Sequence, residues 1–199
     1  MKLGFDIDEV ICALCDVATT WFKDEYNIDW TREDFKSHNL RKNIYVEDPK
    51  LNEEITERLE QTLNNPEVQK TAKPFPDAPK IMRRLRKEGH SLHFISSRKV
   101  NMEDHSIKWF RKYKIPFDTL NHLGNVDCDK GLIGRSLNLD CYVDDLEENL
   151  ESMYRYKKRW RKGLLLWTRP WNKDSIDASK FIRINNWEEF IRHLGIHKR

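Results

Sequence analysis

Apolar residues fall along this chain in short runs of three to five, separated by longer stretches whose apolar positions recur every three or four residues. The short runs occupy residues 3–7, 92–96, 119–123 (the weakest), 141–143 and 164–167, with a last one at 181–184. Runs this short, bounded by polar turns, predict buried strands. The intervening periodicity predicts helices over 77–87, 102–113, 130–137, 146–160 and 187–194. In the first of these, Ile81 and Leu85 share a face and Gly89 follows as a stop. Strands alternating with helices predict a parallel α/β sheet.

About 65 residues break that rhythm, between the first run and Phe75-Pro76-Asp77. Residues 14–26 place Leu14, Val17, Ala18, Trp21 and Phe22 along one helical stripe. A short helix is expected to open at Thr31, and another over 51–63, ended by Asn64-Asn65-Pro66. A segment so long and so patterned is neither a linker nor an ordinary βα loop. The expected organisation is an α/β core of residues 1–13 and 75–199, with residues 14–74 as a helical cap over the carboxyl edge of the sheet.

Composition narrows the class without naming a chemistry. Charged residues make up 35% of the 199 positions, yet 36 Lys and Arg against 33 Asp and Glu leave a net charge of only +3. That balance gives no bulk electrostatic case for nucleic-acid binding, and the basic runs at 83–87 and 155–162 read as solvated helix ends. The first residues lack the apolar stretch of a signal peptide, and no run is long enough to span a bilayer, so a cytoplasmic protein is expected. Cys12 and Cys15 form a C-x-x-C, but Cys128 and Cys141 supply no second pair at metal spacing; the first two read as small hydrophobes in an apolar run.

Candidate chemistry gathers at the ends of the expected strands, where α/β sheets bind ligands. Asp6 and Asp8 end the first, Ser96-Ser97-Arg98 the second and Asp144-Asp145 the fourth, while Lys130 opens the helix before the fourth. Each has an ordinary reading as a turn or helix-cap residue. Together they supply a carboxylate that can attack phosphorus, hard oxygens for Mg²⁺, donors for phosphoryl oxygens, and a second acid to serve the leaving group.

The set resembles the haloacid dehalogenase superfamily, whose four motifs can be matched in order. Asp6-Ile-Asp8-Glu9-Val10 is similar to the first motif, Ser96 to the second, Lys130 to the third and Asp144-Asp145 to the fourth. The resemblance implies a Rossmann-like three-layer sheet with an inserted helical cap after the first strand. It implies Asp6 as nucleophile and Asp8 as acid/base, with the backbone carbonyl of Asp8 reaching the metal. It also implies Ser96, Ser97 and Lys130 on the phosphate, and Mg²⁺ held by Asp6, Asp8, Asp144 and Asp145, with Asp144 favoured for direct contact. Glu9 departs from the family, where Gly is common. The cap position and the stretches Lys73-Pro-Phe75-Pro, Arg169-Pro170-Trp171-Asn172 and Asn186-Trp187 resemble the 5′(3′)-deoxyribonucleotidases. The expectation is a cytoplasmic hydrolase of nucleoside monophosphates, a homodimer being one possible assembly. The alternatives are a phosphatase of sugar phosphates or nucleic-acid ends, or a silent binding module on the same fold. Phe22, Trp30, Phe35 and Tyr45 are candidates to stack on a base, although Trp21 and Phe22 read first as core.

Overall fold

Runs of Leu, Ile, Val and Phe that are apolar on both faces can only be satisfied by burial on both sides, and the four central strands obey this while the two edge strands are half-buried. The structure, a computed structural model, describes residues 1–124, 129–156, 163–174 and 181–195. Its sheet holds β1 (Lys2–Phe5), β2 (Ser91–Ser96), β3 (Thr119–His122), β4 (Cys141–Asp144), β5 (Leu164–Trp167) and β6 (Ile182–Ile184). All pairings are parallel, in the order β3-β2-β1-β4-β5-β6. Strand order therefore reverses between β1 and β4, the place where such sheets open a binding crevice.

Helices cover both faces. Leu3 and Phe5 pack with Met82 and Leu85 of α4 (Ala78–Lys87), Trp109 and Phe110 of α5 (Glu103–Lys112), and Phe190 of α8 (Trp187–His193). On the opposite face Ile95, Tyr142, Leu164 and Leu166 pack with Leu150 and Met153 of α7 (Glu147–Tyr156), against which α6 (Lys130–Ser136) lies. The result is a three-layer, Rossmann-like α/β fold, as expected. The basic run beyond residue 156 and Cys128 lie outside the described residues.

Two glycines set distances that matter for the strand ends. A Cβ on Gly4 would stand 2.7 Å from the Tyr142 ring, so Gly lets that ring cross β1. A Cβ on Gly131 would stand 2.4 Å from the Ser152 carbonyl oxygen, so Gly lets α6 press against α7 and carries Lys130 inward.

Residues 14–74 hold helices and 3-10 turns: α1 (Leu14–Tyr26), α2 (Pro49–Leu63) and α3 (Pro66–Gln69), with turns at Arg32–Asp34 and Leu40–Lys42. They have their own apolar cluster, built on Phe22, Phe35, Tyr45, Ile55 and Leu59. α2 starts two residues before its apolar pattern does, because Asp48 accepts the Leu51 N–H as a cap and Pro49 is suited to the first turn. The chain enters and leaves this segment through two paired strands of linker, in which Ala13 N–H donates to the Lys73 carbonyl and Phe75 N–H to that of Ile11, both at 2.9 Å.

Candidate active site

β1 ends at Phe5, and the next amide, Asp6 N–H, still donates to the Val143 carbonyl at 2.9 Å. Asp6 is thus placed by the sheet itself, beside the end of β4. Lys130 Nζ bridges the two strand ends, donating to Asp6 Oδ1 at 2.8 Å and to Asp144 Oδ2 at 2.9 Å. Oxygens of Asp6, Asp144 and Asp145 lie within 4.8 Å of one another, all three residues buried. Among the described residues no other group of three His, Cys, Asp or Glu meets that spacing.

One cation against three buried carboxylates leaves an excess of negative charge. Burial pushes the Asp6 carboxyl up to about 7, with Asp144 and Asp8 adding to the rise and Lys130 opposing it. Burial raises Asp145 as well, reinforced by Asp144 and Asp6. Burial disfavours the Lys130 ammonium, but Asp144 and Asp6 outweigh it and hold the proton on. A buried set of hard oxygen donors with surplus negative charge fits a divalent cation of the Mg²⁺ type.

The two members of the acidic pair have different surroundings. Asp145 lines the cavity above the strand ends, one of its oxygens accepting Trp171 Nε1–H at 3.0 Å. Asp144 lies behind it with no exposure. Its oxygens accept from Lys130, Tyr142 Oη (2.9 Å), the Leu146 N–H (2.9 Å) and Asn149 Nδ2 (3.0 Å).

Asp8 stands apart from this cluster. Its carboxylate takes a two-pronged grip from Arg98, Nε to Oδ2 at 2.9 Å and Nη2 to Oδ1 at 2.5 Å, and Arg98 is steadied by Ser106 Oγ at 3.1 Å. Burial disfavours the Arg98 charge, but Asp8 outweighs it. Ser96 is buried and its hydroxyl accepts the Arg98 N–H at 3.2 Å; Ser97 is exposed, and both line the cavity.

The cavity, about 290 Å³, has a charged floor of Asp6, Asp8, Lys130 and Asp145 and a roof from residues 14–74 that includes Ala18, Phe35, Leu40 and Leu63. Of the four candidate stacking aromatics, Phe35 lines it. Phe22, Trp30 and Tyr45 instead pack on each other, with ring centroids 4.7–5.5 Å apart. Trp171, in the loop after β5, is a further wall. Burial raises the thiols of Cys12 and Cys15, which disfavours the thiolate.

Sequence reasoning placed Arg98 at a strand end and Asn172 in a motif without giving either a role, and it did not name Tyr142 or Asn149; Asn172 Nδ2 donates to the carbonyls of Asp145 and Trp167 at 2.8 Å each. A cation one residue past Ser96-Ser97 was the available signal for Arg98. The others act through contacts that no spacing rule exposes.

Glu9 follows the two aspartates with φ at +56°, a left-handed conformation that costs a non-glycine residue about 1 kcal/mol. It is buried, its pKa raised by burial against the opposing pull of Arg32.

Among known proteins, 198 residues of this chain are 25% identical to the Bacillus subtilis (strain 168) protein named "Putative nucleotidase YqfW", covering 100% of the chain and 95% of that protein. A second "Putative nucleotidase", from Halalkalibacterium halodurans, is 23% identical, covering 94% of the chain and 89% of its own length. In fold, the chain is similar to a haloacid dehalogenase-like hydrolase from Streptococcus pneumoniae with a TM-score of 0.62 at 12% identity, covering 96% and 97% of the two chains. Residues 1–197 match the family model described as "5' nucleotidase, deoxy (Pyrimidine), cytosolic type C protein". The carboxylate and lysine set at the ends of β1 and β4 thus sits in a phosphoric monoester hydrolase with the fold of a haloacid dehalogenase-like hydrolase, and the chain belongs to that 5′-nucleotidase family.

Proposed function

We propose that the protein dephosphorylates nucleoside or deoxynucleoside monophosphates in a Mg²⁺-dependent reaction, with Asp6 as the nucleophile. The observation that carries this reading is the Lys130 bridge, which fixes Asp6 beside Asp144 and Asp145 at the base of a cavity roofed by apolar residues. Asp6 Oδ2 is the carboxylate oxygen that Lys130 leaves free. Its attack on phosphorus forms an aspartyl-phosphate and expels the nucleoside oxygen, and water then cleaves the acyl phosphate and returns the Asp6 carboxylate. Lys130 neutralises charge on the phosphoryl oxygens, and Ser96 and Ser97 offer hydroxyls from the end of β2. Asp6, Asp145 and Asp144, with the Asp8 backbone, would hold Mg²⁺, which when bound offsets charge on the phosphate.

Asp8 protonates the leaving oxygen in the first step and takes a proton from water in the second. For that its carboxylate, gripped on both oxygens by Arg98, has to turn from the guanidinium to the substrate. Residues 14–74 act as the cap, holding the nucleoside against Phe35 and closing water out.

The test is phosphate release from a panel of nucleoside monophosphates and sugar phosphates, with Mg²⁺ and with EDTA. Release from nucleotides that EDTA abolishes and Mg²⁺ restores is the expected result. Release from sugar phosphates alone would overturn the substrate reading, and release undiminished by EDTA would overturn the metal reading.

A further inference from the structure

Glu9 occupies the turn that leads from the catalytic aspartates into the helical segment, and its carboxylate is shared by α1, the 3-10 turn after it and the loop after β5. Ala13, the residue before α1, makes no side-chain cap. Glu9 Oε1 supplies one, accepting the Cys15 N–H at 2.7 Å in the first turn of α1, where the helix dipole favours a negative group. Arg32, from the 3-10 turn after α1, brings its Nε to 3.1 Å from Glu9 Oε2 and its Nη2 to 2.5 Å from Asp16. From the core side, Arg169 donates Nε–H to the Glu9 carbonyl at 2.7 Å and stands 3.7 Å from Oε2. Both guanidiniums also lie against the ring of Phe75, on the returning linker, Arg32 at 4.7 Å and Arg169 at 4.4 Å from its centroid.

We propose that Glu9 is a positioning residue for the hydrolase: its buried carboxylate clamps α1 and Arg32 to Arg169 of the core, and so sets the apolar roof over Asp6. This rests on the nucleotidase reading above. A glycine fits the left-handed φ of Glu9 with less strain. What a glycine lacks is the anion that two arginines and a helix end share. α1 carries Leu14 and Ala18, and Phe35 follows the Arg32 turn, so a loosened clamp changes how the roof meets the leaving group while Asp6 stays fixed by the sheet and Lys130 by its ion pairs.

Glu9→Gln keeps the size and an acceptor for Cys15 but removes the charge, and it is compared with wild type on the best nucleoside monophosphate and on p-nitrophenyl phosphate, whose leaving group is smaller. The expected result is a KM for the nucleotide raised about tenfold with kcat within about threefold, and a KM for p-nitrophenyl phosphate within about twofold. Amide exchange over residues 14–26 accelerates by about tenfold while that of β1 and β4 is unchanged. Arg32→Met gives the same selective pattern if Glu9→Gln fails to fold, and adding Arg32→Met to Glu9→Gln costs less than it does in wild type. Equal losses on both substrates, or unchanged KM and exchange, would overturn the clamp. If wild type cleaves neither compound, the nucleotidase reading falls and the exchange measurement alone decides on the clamp.

Discussion

The floor and the roof of the cavity are built on different principles. The floor is charged, and the groups that carry it come from the ends of β1, β2 and β4 and the start of α6, each fixed by sheet hydrogen bonds or by a buried ion pair. The roof is mostly apolar and comes from helices and turns that pack on an aromatic cluster of their own. Every phosphomonoester presents the same phosphate, so fixed charges serve all of them. Leaving groups differ, and shape is what can sort them.

That contrast predicts large, substrate-independent effects from the floor and small, selective ones from the roof. Asp6→Asn removes the proposed nucleophile, and kcat is expected to fall by about 10⁴-fold or more for every substrate while the circular dichroism spectrum is unchanged. Activity near wild type would remove Asp6 from its role. Lys130→Met leaves Asp6 and Asp144 without their shared cation. Steady-state assays are expected to show kcat reduced about 10²–10³-fold, and denaturant unfolding a loss of about 3–5 kcal/mol. Phe35→Leu shortens one roof wall, and KM for nucleotides is expected to rise about threefold with little change for p-nitrophenyl phosphate. An equal effect on both substrates would erase the distinction between floor and roof.

The smallest effect is expected far from both. Asp118 takes a two-pronged grip from Arg86 at 2.9 and 2.6 Å and accepts the Leu92 N–H at 2.7 Å. The Arg86 hydrogen bonds hold its pKa below the ordinary value. Its contribution is therefore complete above the usual Asp pKa and lost as pH falls through the lowered one. Asp118→Asn costs less than about 1 kcal/mol at neutral pH, because the pair is partly exposed, and the difference from wild type shrinks in acid while kcat and KM stay unchanged.

Strand and helix periodicity made most of the sheet legible, since burial on two faces leaves an unmistakable run of apolar residues in β2, β4 and β5. The first strand ends at Phe5, before Ile7, because the chain turns through Asp6 to bring that carboxylate onto the rim. The floor residues were legible because their types are rare together at strand ends. Their division of labour was not. Which of Asp144 and Asp145 lines the cavity depends on Tyr142, Asn149 and Trp171, partners 2 to 26 residues away that only the fold brings in. Phe22 reads as core from its helical stripe, but sequence does not distinguish Phe35, on the cavity, from Tyr45, which shares its cluster and faces inward. Glu9 was visible as an oddity, but Arg169 lies 160 positions away.

The two linkers that join the helical segment to the sheet pair side by side, Ala13 with Lys73 and Ile11 with Phe75. Neighbouring strands stand roughly 5 Å apart, so the sixty or so residues between them begin and end almost at one point. Lengthening such an excursion is cheap, about 0.6 kcal/mol for each doubling of a flexible loop, and shortening it pulls on no strand. The sheet is in that sense a socket with standard terminals. A lineage can exchange what is plugged into it, and so the molecules it admits, without touching the carboxylates below.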